Sequence, residues 1–446
     1  MFVSGHALPP RIERGLFYGQ HWAKFDFAAT NSGLISTANL ASSTTLRLGV
    51  FRSIFDTPRG FGDLFLDTGP DGFAHHVLIA NSHQKFASWS GELRLSTLRR
   101  EGARSHLIYL SARARDLTRK YGGSDILDLG AAQIGVPERI TEPVFDFGPQ
   151  TRDRVRQFTL GVGYNLEWGR VGSLSAGVQT SRYSKSVAAP GLAAVKSHDN
   201  PLLFNLGTTI SVTSGLSLYG SYTRGFEEGG VAPSVAVNRN EAAPALRTIQ
   251  KDAGVRLKIG KSVRAVAGVF DIQKPYYGVD SDNVYRRLGA LRNRGVEVSV
   301  AGEVAAGLNL VAGAVLKNPT LAVTDPNLVG FGKQPLGTNR RTFLASLDYR
   351  LRSIPALSLD ASLSNSGATV ASNDNLLRTR PRTGLDVGAR YRLHLGQSPA
   401  TLRVGVSNLF NSSAWNVDNS GAMWASSQRS VRITLATDIS PGREPG

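Results

Sequence analysis

The sequence predicts an all-β fold, a transmembrane antiparallel barrel of the outer membrane, and three observations lead to this fold class. Apolar residues recur at every second position, the predicted strands are unusually long, and the connections alternate between short and long. Because successive side chains of a strand point to opposite faces of a sheet, a period of two indicates sheets with one apolar and one polar face.

The alternation is clear in the segment where Phe158, Leu160 and Val162 occupy one face and Thr159 and Gly161 occupy the other. Such segments run for about ten residues, close to the 9 to 11 that a tilted strand needs to cross a bilayer. The polar face would meet bulk water in a soluble sandwich or the aqueous lumen of a barrel, and the periodicity does not distinguish these. For a barrel we expect Leu160→Arg to cost about 2 to 4 kcal/mol and Thr159→Arg to be nearly neutral.

The connections distinguish the two folds, because short and long links alternate strictly after the strand predicted at residues 86–98. Outer-membrane barrels have short periplasmic turns and long extracellular loops, whereas a soluble sandwich gives no reason for such alternation. The short links are residues 99–104, 167–172, 213–215, 260–261, 303–307, 352–355 and 396–399. The long links are residues 116–152, 184–201, 224–248, 274–291, 318–340, 365–381 and 411–428.

These links define fifteen strands from residue 86 to the C-terminus. We expect three more in residues 16–85, which gives about 18 strands within a range of roughly 16 to 22. An unpaired backbone group in hydrocarbon costs several kcal/mol, so we expect the last strand to pair with an early one and close the barrel.

The composition excludes several classes of protein. The absence of cysteine excludes disulfide scaffolds and thiolate metal sites. The longest apolar run, residues 310–316, is far shorter than the roughly 18 to 20 residues of a transmembrane helix. The formal net charge of +17 points to an anionic partner, which the sign alone does not identify as nucleic acid, acidic lipid or an anionic ligand.

The sequence shows no convincing catalytic or metal motif. Gly260 opens a Gly-Lys-Ser triplet, but the upstream glycine is one position out of register for a phosphate-binding loop, so a tight turn is the better interpretation. His75 and His76 have no partner at ligand spacing, and Glu227 and Glu228 are expected to be solvated in a long loop. We therefore expect no enzymatic activity, no metal site and no cofactor.

Candidate ligand-binding residues lie in the lumen and in or beside the long loops. They are the aromatic residues Phe145, Phe147, Tyr276, Tyr277, Trp415 and Trp424 and the arginines Arg152, Arg286, Arg287, Arg340 and Arg380. Aromatic residues there would either hold a ligand or anchor the barrel at the membrane interface. Arginines would either attract an anionic ligand or bind anionic lipid head groups.

Five segments, in this order and spacing, resemble the barrel of TonB-dependent receptors, especially the siderophore-receptor branch. They are LYGSYTRGFEEGGVAP (residues 218–233), RTIQKDAGVRLK (247–258), GVFDIQK (268–274), RNRGVEVSVAG (292–302) and RVGVSNLF (403–410). The resemblance extends from about residue 93 to the C-terminus. It implies an outer-membrane barrel of about 22 strands, an N-terminal plug domain inside it, and energised import of ferric siderophores or similar scarce nutrients.

The sequence departs from that family pattern. No plug precedes the barrel, so we expect residues 1–446 to be one TonB-dependent receptor-like barrel domain, N-terminally truncated. The energy-coupling TonB complex would then act only through a plug that is missing here. The last strand ends near Asp438 and is followed by a polar tail, where the family usually ends in an aromatic residue.

The leading hypothesis is an outer-membrane receptor and transporter whose partners are a ferric siderophore or similar anionic ligand and outer-membrane lipid or lipopolysaccharide. The alternatives are a passive diffusion channel of the outer membrane and a non-functional barrel fragment. A soluble basic β-protein that binds nucleic acid is suggested by the net charge alone, and we expect no nucleic-acid partner.

Overall fold

The computed structural model describes residues 1–233, 236–323, 332–396 and 398–438, which contain 23 strands and no helix that could cross a membrane. Seventeen of the strands form one antiparallel wall. The wall strands are β2 (Asp26–Ala41), β3 (Thr44–Thr68), β5 (Gln84–Glu101), β6 (Arg104–Tyr121), β8 (Thr151–Trp168), β9 (Gly172–Ala188), β11 (Leu202–Ser211), β12 (Leu216–Glu227), β13 (Leu246–Ile259), β14 (Val263–Val279), β15 (Tyr285–Ala305), β16 (Leu308–Val323), β17 (Arg341–Arg350), β18 (Leu357–Ser366), β19 (Arg382–Leu395), β20 (Ser398–Ser407) and β23 (Ser430–Thr437). The other six strands are β1 (Phe2–Gly5), β4 (Phe73–Asn81), β7 (Asp125–Gln133), β10 (Val195–Asp199), β21 (Trp415–Val417) and β22 (Met423–Ala425).

The fold class predicted from the sequence is confirmed. Each wall strand pairs with the next wall strand along the chain, and short turns at one rim alternate with long loops at the other. The fifteen wall strands from β5 to β23 are the fifteen that the link pattern predicts after residue 86.

The two faces of the wall differ as the alternation predicts. In one row that runs across four strands, Leu95 is paired with Leu110, Leu110 with Val162 and Val162 with Val178. The last three of these are 54%, 48% and 48% exposed. Because soluble proteins rarely leave such contiguous apolar patches exposed, this face is the one that contacts lipid. It is called the outer face below, and the opposite face is called the lumen face.

Several strands extend further toward the loop rim than the alternation indicates. β14 continues to Val279 and β15 begins at Tyr285, so the link between them is residues 280–284 and not the predicted 274–291. Above the lipid both faces of a strand meet water or protein, so alternation no longer marks the strand there.

Two expectations about the start of the wall are wrong. Residues 16–85 contribute two wall strands, β2 and β3, and not three. In the described ranges, β2 pairs only with β3 and β23 pairs only with β20, so the expected pairing of the last strand with an early one is not formed. The reason is parity: with seventeen strands in hairpin order, β2 and β23 run in the same direction, and their direct pairing would be parallel.

The two ends of the wall are connected instead at the loop rim, through a small sheet made of β1, β4, β7, β21, β22 and the loop-side end of β3. β1 pairs in parallel with β3 and antiparallel with β22. Val3, Phe65 and Met423 are buried in its core. His76, for which the sequence showed no partner at ligand spacing, is also buried there and lies 2.5 Å from Asp63 Oδ1.

Candidate ligand site at the loop rim

Phe145 and Phe147 belong to an aromatic cluster beside the loop-rim sheet. The Phe145 ring lies 5.7 Å from the Trp22 ring, 5.8 Å from the Phe61 ring and 5.9 Å from the Phe147 ring. The Trp22 indole N–H donates to the Ile140 carbonyl at 2.9 Å, which fixes residues near the start of the chain against this long loop. Phe145 therefore packs within the protein, whereas Phe147 remains 46% exposed and available for contact.

Tyr277 and Arg287 line one cavity of about 500 Å³, which lies near the loop rim on the outer face of β13, β14 and β15 and which we call the basic cavity. Arg247, Lys274 and His198 line it too. Both Arg247 and Lys274 have partners, since Arg247 pairs with Asp199 at 2.8 Å and Lys274 pairs with Glu227 at 3.0 Å. The Arg287 Nε donates to the Gly289 carbonyl at 3.3 Å, and no carboxylate pairs with Arg287 among the residues described. The cavity thus presents excess positive charge beside a tyrosine ring.

The neighbours of these two residues have other surroundings. Tyr276 precedes Tyr277 on β14 and points to the opposite face. Arg286 forms an ion pair with Asp280. The Val284 N–H, together with the Asp282 N–H and the Arg286 guanidinium, lowers the pKa of Asp280 in spite of burial.

The remaining predicted residues lie elsewhere. The Trp415 indole N–H donates to the Pro9 carbonyl at 3.0 Å, and the Trp424 ring meets the Phe2 ring edge-on at 6.3 Å, so both tryptophans hold the first residues of the chain in the loop-rim sheet. Arg152 is exposed at the loop end of β8, and Arg340 and Arg380 are exposed beside other loops. The structure therefore brings together Tyr277 and Arg287, and separately Phe145 and Phe147, and it does not gather all eleven residues into one site.

A buried ionic cluster, which we call the loop clamp, was not predicted. Arg119 donates to Asp153 at 3.0 Å and to both carboxylate oxygens of Glu228, at 2.5 and 2.8 Å. Lys185 donates to Glu228 at 2.9 Å and to the Gly229 carbonyl at 2.9 Å. Three of these residues come from the lumen face of β6, β8 and β9, and Glu228 opens the loop of residues 228–245. The clamp fixes the base of that loop to the wall.

The electrostatics of the clamp follow from its contacts. Burial opposes ionisation of Glu228, but the hydrogen bonds from Arg119 and Lys185 outweigh it and lower the pKa of that carboxyl to about 2. The sequence reading of Glu227 and Glu228 as a solvated pair is wrong, since Glu227 also pairs with Lys274. A possible signal was the acid directly after a long strand, but its basic partners lie 109 and 43 residues away along the chain.

The lumen face carries further charge pairs that the sequence analysis did not single out. Glu92 accepts from Arg113 at 3.0 Å and from Arg94 at 2.7 Å. On the other part of the wall, Arg403 donates to Asp360 at 3.2 Å. Charged residues at alternate positions on the polar face are the signal that would have identified them. Within the described ranges no three metal-ligating side chains lie close enough to hold an ion.

Comparison with known proteins places this architecture in a family. A family model described as the β-barrel of TonB-dependent receptor-like proteins matches residues 7–409. The ferrichrome receptor FcuA of Yersinia enterocolitica is 26% identical over 232 residues, which cover 50% of this chain and 30% of that receptor. The chain therefore spans less than a third of the length of this curated relative.

Solved structures show the same fold at lower identity. The ferric preacinetobactin receptor BauA from Acinetobacter baumannii superposes with a TM-score of 0.81 at 18% identity, over 98% of this chain and 67% of that one. The siderophore receptor PiuA from the same organism gives a TM-score of 0.79 at 14% identity, over 96% of this chain and 67% of that one. Together with the match over residues 7–409, this shows that the chain belongs to the TonB-dependent receptor family, whose β-barrel lies in the outer membrane.

Proposed function

We propose that the chain is the barrel of an outer-membrane receptor that takes up a ferric siderophore or a similar scarce anionic nutrient. The observation that carries this proposal is the basic cavity at the loop rim, where Arg287 and Tyr277 lie side by side and cations outnumber carboxylates. Ferric chelates are commonly anionic, and a cavity of one charge sign near the loops of a barrel raises the local concentration of such solutes. The names of FcuA, BauA and PiuA agree with this ligand class.

The proposal treats residues 1–446 as one barrel domain, which is supported by the family match over residues 7–409. Transport would depend on TonB through a plug domain, and no chemical reaction on the ligand is part of the proposed cycle. Tyr277 and Arg287 would contact the ligand in the basic cavity, and the exposed ring of Phe147, which belongs to a separate cluster, would offer a second contact. Phe145, Trp415 and Trp424 would act indirectly, because they hold the loop-rim sheet together.

A binding titration tests the proposal. The folded chain in detergent micelles is titrated with an anionic ferric catecholate and with ferrichrome, and binding is measured by quenching of tryptophan fluorescence. We expect saturable quenching by one of these ferric complexes. Arg287→Ala should weaken binding about tenfold, because a hydrogen bond to a charged group contributes about 1.5 to 3 kcal/mol.

The matched control is Arg100→Ala, which removes the same charge from an exposed position at the turn rim. This variant should bind like the parent chain. If neither ferric complex binds better than an unrelated solute, or if both variants behave alike, the proposed ligand class is wrong. Large, ligand-independent conductance of the chain in a planar bilayer would favour the passive channel instead.

A further inference from the structure

The outer face of the wall carries two cavities, one above the other, along the same four strands. The upper cavity, about 780 Å³, is lined on β5, β6, β8 and β9 by Trp89, Asp116, Arg156 and Arg182. The lower cavity, about 550 Å³, is lined on the same strands by Leu93, Ala112, Leu160 and Val178. We call them the head-group cavity and the acyl groove.

The ladder registers show that the two cavities are continuous. One row across β5, β6 and β8 contains Trp89, Asp116 and Arg156. The next outward-facing row contains Gly91, Ala114 and Phe158, and the row after it contains Leu93, Ala112 and Leu160. Successive outward-facing rows are about 6.6 Å apart along a strand. The outer face thus changes from charged to wholly apolar within about 13 Å along the strands, and the charged row is the one nearer the loop rim.

The groove exists because small residues lie between large ones. On β6 the outward side chains at two successive rows are Ala112 and Ala114. Leu93 on one side of Ala112 and Leu160 on the other are 45% and 48% exposed, so they stand above a floor of methyl groups. A hydrocarbon chain lying along β6 would contact all three side chains and replace water there.

The charge above the groove is not neutralised within the protein. Arg154 binds Asp116 through two hydrogen bonds, of 2.9 and 2.5 Å, and so takes up most of its charge. The side chain of Arg156 is 61% exposed and only 3.5 Å from the same carboxylate. Arg182 is exposed and has no ion-pair partner in the described ranges. Two guanidinium groups therefore remain for an external anion.

We propose that these two cavities are one binding site for an acylated lipid with a phosphorylated head group, the chemistry of lipid A in the outer leaflet. Arg156 and Arg182 bind the phosphate, for which the planar guanidinium is well suited. The acyl groove takes one of the acyl chains. Trp89, with the Arg52 guanidinium 4.8 Å above its ring, lies at the level where aromatic residues anchor barrels at the membrane interface. His198 lines both the head-group cavity and the basic cavity, so the two proposed sites adjoin on the outer face, and the substitutions that test them are on different residues.

Native mass spectrometry of the folded chain in detergent micelles tests this site. Three probes are titrated separately: diphosphoryl lipid A, the same lipid with its phosphates removed, and inorganic phosphate. We expect saturable retention of diphosphoryl lipid A, at least tenfold weaker retention of the dephosphorylated lipid, and no competition by inorganic phosphate at equal concentration. The double variant R156A/R182A should lose at least tenfold in affinity for lipid A.

Two further variants separate the head group from the acyl chain. Ala112→Phe fills the floor of the groove without a change of charge and should weaken lipid A binding several-fold. Arg294→Ala, on the outer face of β15 where Asp271 already pairs with it at 3.2 Å, removes the same charge elsewhere and should bind within twofold of the parent. Folding of each variant is checked by the heat-dependent shift of its band on a gel. Equal binding by R156A/R182A and R294A, equal retention of the dephosphorylated lipid, or full competition by phosphate would each overturn the proposal.

Discussion

A pair of arginine substitutions on neighbouring residues of β15 tests the assignment of the two faces. Val298 lies on the outer face, is 54% exposed, and pairs with Ala267 and Ala314. Ser299 lies on the lumen face, is exposed, and pairs with Val266 and Gly313. Arg294, four residues before Val298, is the last outward-facing charge on this strand, so Val298 is about 13 Å below it along the strand.

The expected magnitude follows from this position. With a strand tilt of about 40°, 13 Å along the strand is roughly 10 Å of depth, close to the middle of an apolar band about 25 Å tall. Val298→Arg should therefore lower the free energy of unfolding by about 2 to 4 kcal/mol. Ser299→Arg adds a charge in the aqueous lumen two positions from Glu297, and it should change stability by less than about 0.5 kcal/mol.

The assay is denaturant unfolding of the chain in lipid vesicles, followed by tryptophan fluorescence. Equal losses for the two variants, or a larger loss for Ser299→Arg, would refute the assignment of the faces. Thr159 is a poor lumen-side control even though alternation selects it. It is only 4% exposed, and its hydroxyl lies 2.8 Å from Ser181 Oγ, so an arginine there would disrupt a buried hydrogen bond.

Three other outcomes follow from the contacts at the loop rim and at the wall edges. Glu228→Gln should loosen residues 228–245, because it leaves Arg119 and Lys185 without their shared carboxylate, at a cost of about 3 kcal/mol. The measurement is amide exchange, which should become faster in that loop and stay unchanged in β16. Unchanged exchange in the loop would show that the loop clamp does not hold it. In the parent chain, the pKa of Glu228 is lowered to about 2. The stability that the clamp contributes is therefore complete above the ordinary carboxyl pKa near 4.5 and decreases as pH falls from there toward 2. Amide exchange of the loop, corrected for intrinsic rates, should become faster in the parent as pH falls through this range and should stay constant in Glu228→Gln. Amides of Asp26–Ala41 and Ser430–Thr437 should exchange faster in lipid vesicles than those of β8, since both strands have one neighbour only in the described ranges; equal protection would mean that both edges are paired.

The sequence predicted the wall well because each strand carries its own local signal. In β8, Phe158, Leu160 and Val162 identify the outer face without knowledge of any other strand. The positions of the short turns follow for the same reason, since the alternation ends where the chain leaves the membrane. The part of the fold that the sequence predicts is thus the membrane-spanning part, because contact with lipid requires an apolar face on each strand separately.

The candidate site was less predictable, because its contacts join residues that are distant along the chain. Tyr277 and Arg287 were recognised as residue types suited to a ligand, but the cavity that they share also needs His198 and Arg247 from other elements. Trp415, like Tyr277, is an aromatic residue in or beside a long loop. Its indole N–H nevertheless donates to the Pro9 carbonyl, 406 residues away. Residue type alone does not separate a ligand contact from an internal one.

Closure of the wall into a barrel cannot be predicted from any local sequence pattern. Whether two edges can pair depends on the parity of the strand count, which changes if one strand is gained or lost anywhere. Residues 16–85 provide two wall strands where three were expected, and this single difference makes β2 and β23 run in the same direction. Antiparallel closure of this wall therefore requires an odd number of further strands between the two edges. The loop-rim sheet does not replace them, because β1 joins β3 to β22 only above the lipid, whereas the sixteen residues of β2 present an exposed edge along their whole length. In hydrocarbon those backbone groups would remain unsatisfied, so covering both edges would stabilise the wall in a membrane.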